Sequence, residues 1–327
     1  MSQPPTIYKT GNLKSYAQKS TAKNLEIVPG SLISSYKKPA TGNWFPVLAE
    51  TNAYVANPTD YDTTVKLSYS TAVSAQRFGE YAKQFIKTKG YNPNNIVLSD
   101  SICSDDVDGP VYSDISNIGQ TPASQNQFLG AFMSGGLAGY PHTGILGIQA
   151  WGSHVTTTTN GGLFMINMPH IGISRAGDVG RIWRRGKSEA QSLTDNTCGA
   201  VATAIVWVAA NAIAPVVASF PNDYQNYALC AILFPFKAAL AAIPTYGAKM
   251  IYATEKIRLA GDTFLTGGSG IIAANVGIGV DVFYCTGTFI NTDDGYNAYI
   301  NVTAFKKYNS IGGWVDLTTT FKAGLPK

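Results

Sequence analysis

The chain has 327 residues with 24 Lys+Arg against 20 Asp+Glu, a formal net charge of +4, and only 13% charged residues at 45% hydrophobic content. Low charge at ordinary apolar content excludes a disordered chain and points to a large interior or an oligomer interface. A dispersed +4 lacks the dense basic face of a nucleic-acid binder, and three histidines with four cysteines leave a short list for metal or acid–base chemistry.

Residues 1–45 read as a polar Lys/Ser/Thr-rich arm, and residues 46–327 as one α/β domain. The arm has no apolar core segment, so it is not a secretory signal. Lys9, Lys14, Lys19 and Lys23 precede the first acid, Glu26, which leaves an organelle transit peptide as the alternative to a plain arm. Four cysteines without a signal peptide read as reduced thiols in an intracellular, cytoplasmic protein.

Ser70–Lys89 has apolar residues at helical spacing and ends in lysines before Gly90, a helix stop. NNIVLSDSICSDD is a short apolar strand running into a polar turn, as at the carboxyl edge of an α/β sheet, where sites are built. Residues 134–150 are glycine-rich and turn-like, and LFMIN at 163–167 is a buried strand. Residues 199–222 carry no charge, which by length would permit a membrane span. Asn211 and Pro215 in mid-segment, and the lack of a basic flank, favour a buried helical hairpin with the apolar stretch 228–243 and no membrane span. From about Ile271 the pattern alternates: VDVFYCTGTFI, a turn at NTDDGYN and AYINVTAFKKY form a hairpin, and WVDLTTTF forms a last strand.

Several constellations could carry chemistry. CSDDVDG at 103–109 aligns Asp106, Asp108 and Gly109 with a calcium loop, but Ile115 falls where a bidentate Glu is required, so that reading fails. Cys103 and Asp105, two residues apart, can face one ligand in an extended turn. The glycine loop 134–147 lacks both the Gly-Lys-Ser/Thr ending and the GxGxxG spacing of a phosphate site. His170 ends an apolar strand in PHIGIS; a core histidine is the plain alternative. Cys198 stands immediately before an apolar helix, where the dipole lowers a thiol pKa, as suits a zinc ligand or a nucleophile. Cys103, His170 and Cys198 make a set of two sulfurs and one nitrogen suited to zinc. The rival is a Cys198 nucleophile with His170 as base, which leaves Cys103 unexplained. GDVGRIWRRGK supplies Arg181, Arg184 and Arg185 for pairing with Asp105 or for an anion.

The run GGLAGYPHTG, AWGSHV, LFMINMPHIGIS, GDVGRIWRRGK and CGA, with FYCTGTFINTDDG later, resembles the limiting-carbon-dioxide-inducible B/C family, the theta-type carbonic anhydrases, over roughly residues 45–310. The resemblance implies a fold like the beta-type carbonic anhydrases, a mixed sheet flanked by helices with the C-terminal hairpin, and a homodimer. It implies zinc as Zn2+ on Cys103, His170 and Cys198, Asp105 as the acid two residues after the first cysteine, and Arg184 as its partner, with Arg181 and Arg185 as alternatives. The implied reaction is hydration of carbon dioxide to bicarbonate by a zinc-bound hydroxide that the Asp–Arg pair orients. Ile171, Leu163 and Phe164 are candidates for a dry wall, with plain core as the alternative. The chain departs from the family at Ser153–His154, where two adjacent histidines are expected, and at Thr156–Asn160. These departures motivate the rival function, a catalytically silent homologue acting as a structural, assembly or bicarbonate-related binding subunit.

Overall fold

The computed structural model describes residues 58–91, 95–103, 131–133, 135–141, 161–174, 176–182, 195–221, 223–268, 270–276, 279–293 and 298–326. Contacts group Asn57–Lys327 into one compact unit. The expected arm, 1–45, lies outside the described residues.

Among the described residues, eight strands form one sheet: β1 (Val73–Ser74), β2 (Ile96–Ser101), β3 (Ala131–Met133), β4 (Gly162–Asn167), β5 (His170–Gly172), β6 (Asp281–Asn291), β7 (Tyr299–Asn309) and β8 (Gly313–Asp316). Their order is β1-β7-β6-β4-β2-β3, with β5 also on β6 and β8 also on β7. The apolar runs of β2, β4 and β6 are buried throughout, as parallel strands covered on both faces must be. β2 and β4 run parallel to each other, β4 parallel to β6, and β7 antiparallel to β6. The expected α/β mixed sheet with a C-terminal hairpin is therefore present. Register sets Ser101 opposite Asn167 and Asn167 opposite Thr286, so the segments after β2 and β4 leave the sheet at one level.

The described helices are α1 (Pro58–Ser68), α2 (Ala75–Thr88), α3 (Gly199–Ala210), α4 (Tyr224–Leu233), α5 (Lys237–Ala242), α6 (Tyr246–Thr266), α7 (Ile271–Asn275) and α8 (Thr318–Gly324). One sheet face packs Ile96, Leu98, Phe164, Phe283 and Phe305 against Phe78 and Phe85 of α2 and Phe321 of α8. The other packs Val97, Leu163, Met165 and Tyr284 against Leu265 of α6 and Ile272 of α7. A polar cluster ties α6 to the carboxyl end of β4 and to the first half of β6. Arg258 donates to Glu255 at 2.7 Å and to Asp262, while Asp262 accepts from Asn167 at 3.0 Å and from Tyr284.

Three expectations shift. α2 begins at Ala75 rather than Ser70, because Ser74 caps it by accepting from the Arg77 N–H at 3.4 Å, and Val73 pairs with Ile300. WVDLTTTF is a strand only to Asp316. Asp316 Oδ1 accepts from the Thr318 N–H at 2.7 Å, Thr318 Oγ1 accepts from the Phe305 N–H at 3.0 Å, and the chain turns into α8. The uncharged 199–222 segment pairs with the apolar stretch that follows, α3 against α4, but it is not buried throughout. α3 ends at Ala210, and Val206, Ile213, Val216 and Val217 are exposed. Among the described residues no helix is long and apolar enough to cross a membrane.

Candidate metal centre

Three segments from the strand ends and their connections converge. Cys103 follows β2, and Met168, in the connection after β4, donates to the Ser101 carbonyl at 3.0 Å. His170 opens β5, which pairs with β6 in parallel. Cys198 is brought in by a relay of backbone pairs: Gly180 N–H donates to Gly172 O at 2.7 Å, and Thr197 N–H donates to Gly180 O at 2.9 Å. Gly172 serves a close approach, since a Cβ there would fall 1.9 Å from Thr197 Oγ1.

The ligand-capable atoms of Cys103, His170 and Cys198 all lie within 4.8 Å of one another, and all three residues are buried. Asn291 at the end of β6 holds the ring: His170 Nδ1 donates to Asn291 Oδ1 at 2.7 Å. A carbonyl oxygen only accepts, so the contact is a hydrogen bond in the tautomer that carries its proton on Nδ1, which leaves the Nε2 lone pair open. On the other flank, the short 3₁₀ turn Leu137–Gly139 puts Ala138 at φ +59°, from which its N–H donates to Cys103 Sγ at 3.1 Å. Gly139, at φ +74°, packs its backbone beside Cys103 N, Met168 O and Pro169.

Cys198 caps α3 at φ −107°, ψ 101° without a side-chain cap bond. The sequence reading expected the helix dipole to lower its pKa; the structure reverses that. A hydrogen bond with Cys103 and burial hold the thiol well above its usual range, and His170 offsets only part of this. A buried thiol whose pKa is held up in this way is a poor lone nucleophile, whereas two sulfurs beside an imidazole are a good chelating set. Two sulfurs and one nitrogen from three elements, dry and within reach of one ion, fit zinc and leave a fourth position for water.

Of the remaining expected site residues, Asp105, Arg184, Arg185, Ser153 and His154 lie outside the described residues. Arg181 is described: its guanidinium sits 4.6 Å over the Tyr246 ring, and its backbone forms a bridge with Asn196, two residues before Cys198. Tyr246 donates to Asn196 Oδ1, and burial raises its pKa, with Arg181 lowering it and Cys198 raising it, which ties this pair to the neighbourhood of the centre. Ile171, Leu163 and Phe164 are fully buried, but Leu163 and Phe164 belong to opposite faces of the sheet and form no common wall. Asn291 was not singled out from sequence. It stands 121 residues from His170, and only the β5–β6 register joins them.

A family profile described as limiting CO2-inducible proteins B/C beta carbonic anhydrases matches residues 72–309. No curated protein matches the chain. Among solved structures, PtLCIB4, a homolog of the limiting CO2-inducible protein LCIB, superposes with a TM-score of 0.64 at 24% identity, covering 78% of this chain and 98% of that one. LCIB itself superposes with a TM-score of 0.52 at 14% identity, covering 76% and 94%. Likeness at such identity speaks for the fold.

Proposed function

The chain belongs to the limiting CO2-inducible B/C family of beta carbonic anhydrases, and from that premise we propose that it is a zinc-dependent carbonic anhydrase interconverting carbon dioxide and bicarbonate. The observation that carries the reading is the buried Cys103–His170–Cys198 group, whose ligand atoms lie within 4.8 Å of one another. Zinc on these three residues supplies a Lewis acid that lets water ionise near neutral pH and attack carbon dioxide.

The chain's own residues do the rest. Ala138 N–H and the Asn291–His170 hydrogen bond hold two of the ligands in place before metal arrives. Asp105 is the proposed acceptor that orients the attacking group, and Arg184 the cation that keeps it ionised and aimed. Arg181, already stacked on Tyr246 next to Asn196, is the alternative to Arg184. Four buried free thiols support a reducing, intracellular compartment.

A homodimer is proposed through the uncharged face around α3. Val206 is 68% exposed, Ile213 79% and Tyr224 63%, and such a patch marks an interaction surface. The same face favours the second reading, a silent homologue that serves as an assembly subunit. Stopped-flow carbon dioxide hydration separates them: the zinc-loaded protein is expected to be active, Cys103→Ser inactive, and Asp105→Ala and Arg184→Ala each strongly impaired. Carbon dioxide hydration untouched in Cys103→Ser would refute the zinc reading.

A further inference from the structure

Asn291, the last residue of β6, reaches the centre from a strand that carries none of the three ligands. We propose that Asn291 is the positioning residue of the metal centre, setting the tautomer and direction of His170 from β6; this rests on reading Cys103, His170 and Cys198 as a metal site.

Two bonds from one residue support it. The side chain accepts from His170 Nδ1 at 2.7 Å. The backbone carbonyl of Asn291 accepts from the Ile173 N–H at 2.9 Å, just beyond the far end of β5. Asn291 therefore holds β5 near both ends, the ligand at the start and the strand's exit. It is 2% exposed and His170 is fully buried, so water does not replace the side-chain bond readily.

The chemistry of an amide matters here. A metal-bound imidazole needs its other nitrogen protonated and directed, and a carboxylate, carbonyl or water can do this. Two thiolates already cancel the charge of a divalent ion. A carboxylate at 291 would make the group anionic, whereas asparagine fixes the ring without adding charge. A thiol-rich centre thus gains orientation from a neutral acceptor.

The test uses the full chain and two readouts independent of turnover. Nitrogen-15 NMR of histidine-labelled, metal-free protein, assigned by difference against His170→Gln, reports the ring tautomer. Zinc affinity is read by competition with a chromophoric chelator. Wild type is expected to show His170 protonated at Nδ1. Asn291→Leu, similar in size but without an acceptor, is expected to lose that single tautomer and bind zinc about 10–100-fold more weakly. Asn291→Asp, which restores the acceptor, is expected to recover most of the affinity. A wild-type ring protonated at Nε2, a folded Asn291→Leu within about twofold of wild type, or no recovery in Asn291→Asp each overturns the proposal. Should Asn291→Leu fail to fold, the wild-type tautomer and Asn291→Asp decide it. A wild type that holds the tautomer but binds no zinc overturns the metal reading on which this stands, and absent turnover with these results intact overturns only the hydratase.

Discussion

Gly172→Ala should loosen the metal centre without touching a ligand. Gly172 lies two residues after His170, and Thr197 immediately precedes Cys198, so the contact between them sets how closely those two ligands approach. An added Cβ would meet Thr197 Oγ1 at 1.9 Å, Ile182 Cγ2 at 2.5 Å and Thr197 Cβ at 2.7 Å. Distances this far inside van der Waals contact force the β5 edge and the 196–198 segment apart, since Thr197 is fully buried and held through its N–H by Gly180 O at 2.9 Å. Overpacking of this kind costs about 1–3 kcal/mol. At about 2–4 °C per kcal/mol for a large domain, the expected fall in Tm is several degrees. If the same displacement is felt at the site, zinc affinity falls by roughly 5–150-fold, from 1.4 kcal/mol per tenfold. Gly199→Ala is the control. It lies on the other side of Cys198, its Cβ would meet nothing within 4 Å, and it should leave zinc affinity unchanged and Tm equal or slightly higher. Thermal unfolding and chelator competition on the two variants give the answer. Gly172→Ala with wild-type Tm and wild-type zinc affinity would refute the placement of Cys198 against β5.

Ala138→Gly should retain zinc binding and stabilise the fold by roughly 0–1 kcal/mol, because relief of the left-handed φ of +59° offsets the larger entropic cost of ordering glycine; a clear destabilisation in chemical denaturation would contradict this. Phe321→Ala should cost about 3–5 kcal/mol, since Phe321 stacks on Phe305 at 4.1 Å and meets the edges of Phe78, Tyr81 and Phe85; a loss under about 1 kcal/mol would place α8 elsewhere. For Asp281, burial raises the carboxyl pKa, but hydrogen bonds from Lys307, Tyr91 and Asn309 outweigh it and leave the pKa lowered. A depressed folded-state pKa stabilises the protein above the unfolded value, near 4, and that contribution is lost as pH falls through the folded value. Stability of the wild type should therefore drop below about pH 4, and Asp281→Asn should flatten that part of the urea-midpoint profile; an unchanged slope would remove Asp281 as its source.

Much of the centre was legible because its residues are scarce. With three histidines in the chain, a histidine closing LFMINMP beside two context-rich cysteines could be picked out, and the parallel register of β2 and β4 then put Cys103 and His170 at one sheet edge. The buried strand β4 was equally plain, since LFMI is apolar on both faces, whereas VDVFYCTGTFI reads as alternating and β6 proves buried along its whole length. What escaped depends on contacts without local pattern. Thr318–Thr320 are β-branched and read as strand, but the Asp316–Thr318 and Thr318–Phe305 hydrogen bonds and the packing of Phe321 turn them into helix. The 199–222 segment is uncharged and apolar, and nothing in composition separates an interior from an exposed face. For the Cys198 thiol, its place before a helix points to a lowered pKa, whereas the hydrogen bond with Cys103 and burial, which no local pattern announces, raise it.

The most direct measurement is zinc stoichiometry and oxygen-18 exchange between carbon dioxide and water on the same sample near neutral pH. The account predicts one zinc per chain and exchange well above the uncatalysed rate, both lost in Cys103→Ser. Full zinc occupancy with exchange at the uncatalysed rate would contradict it.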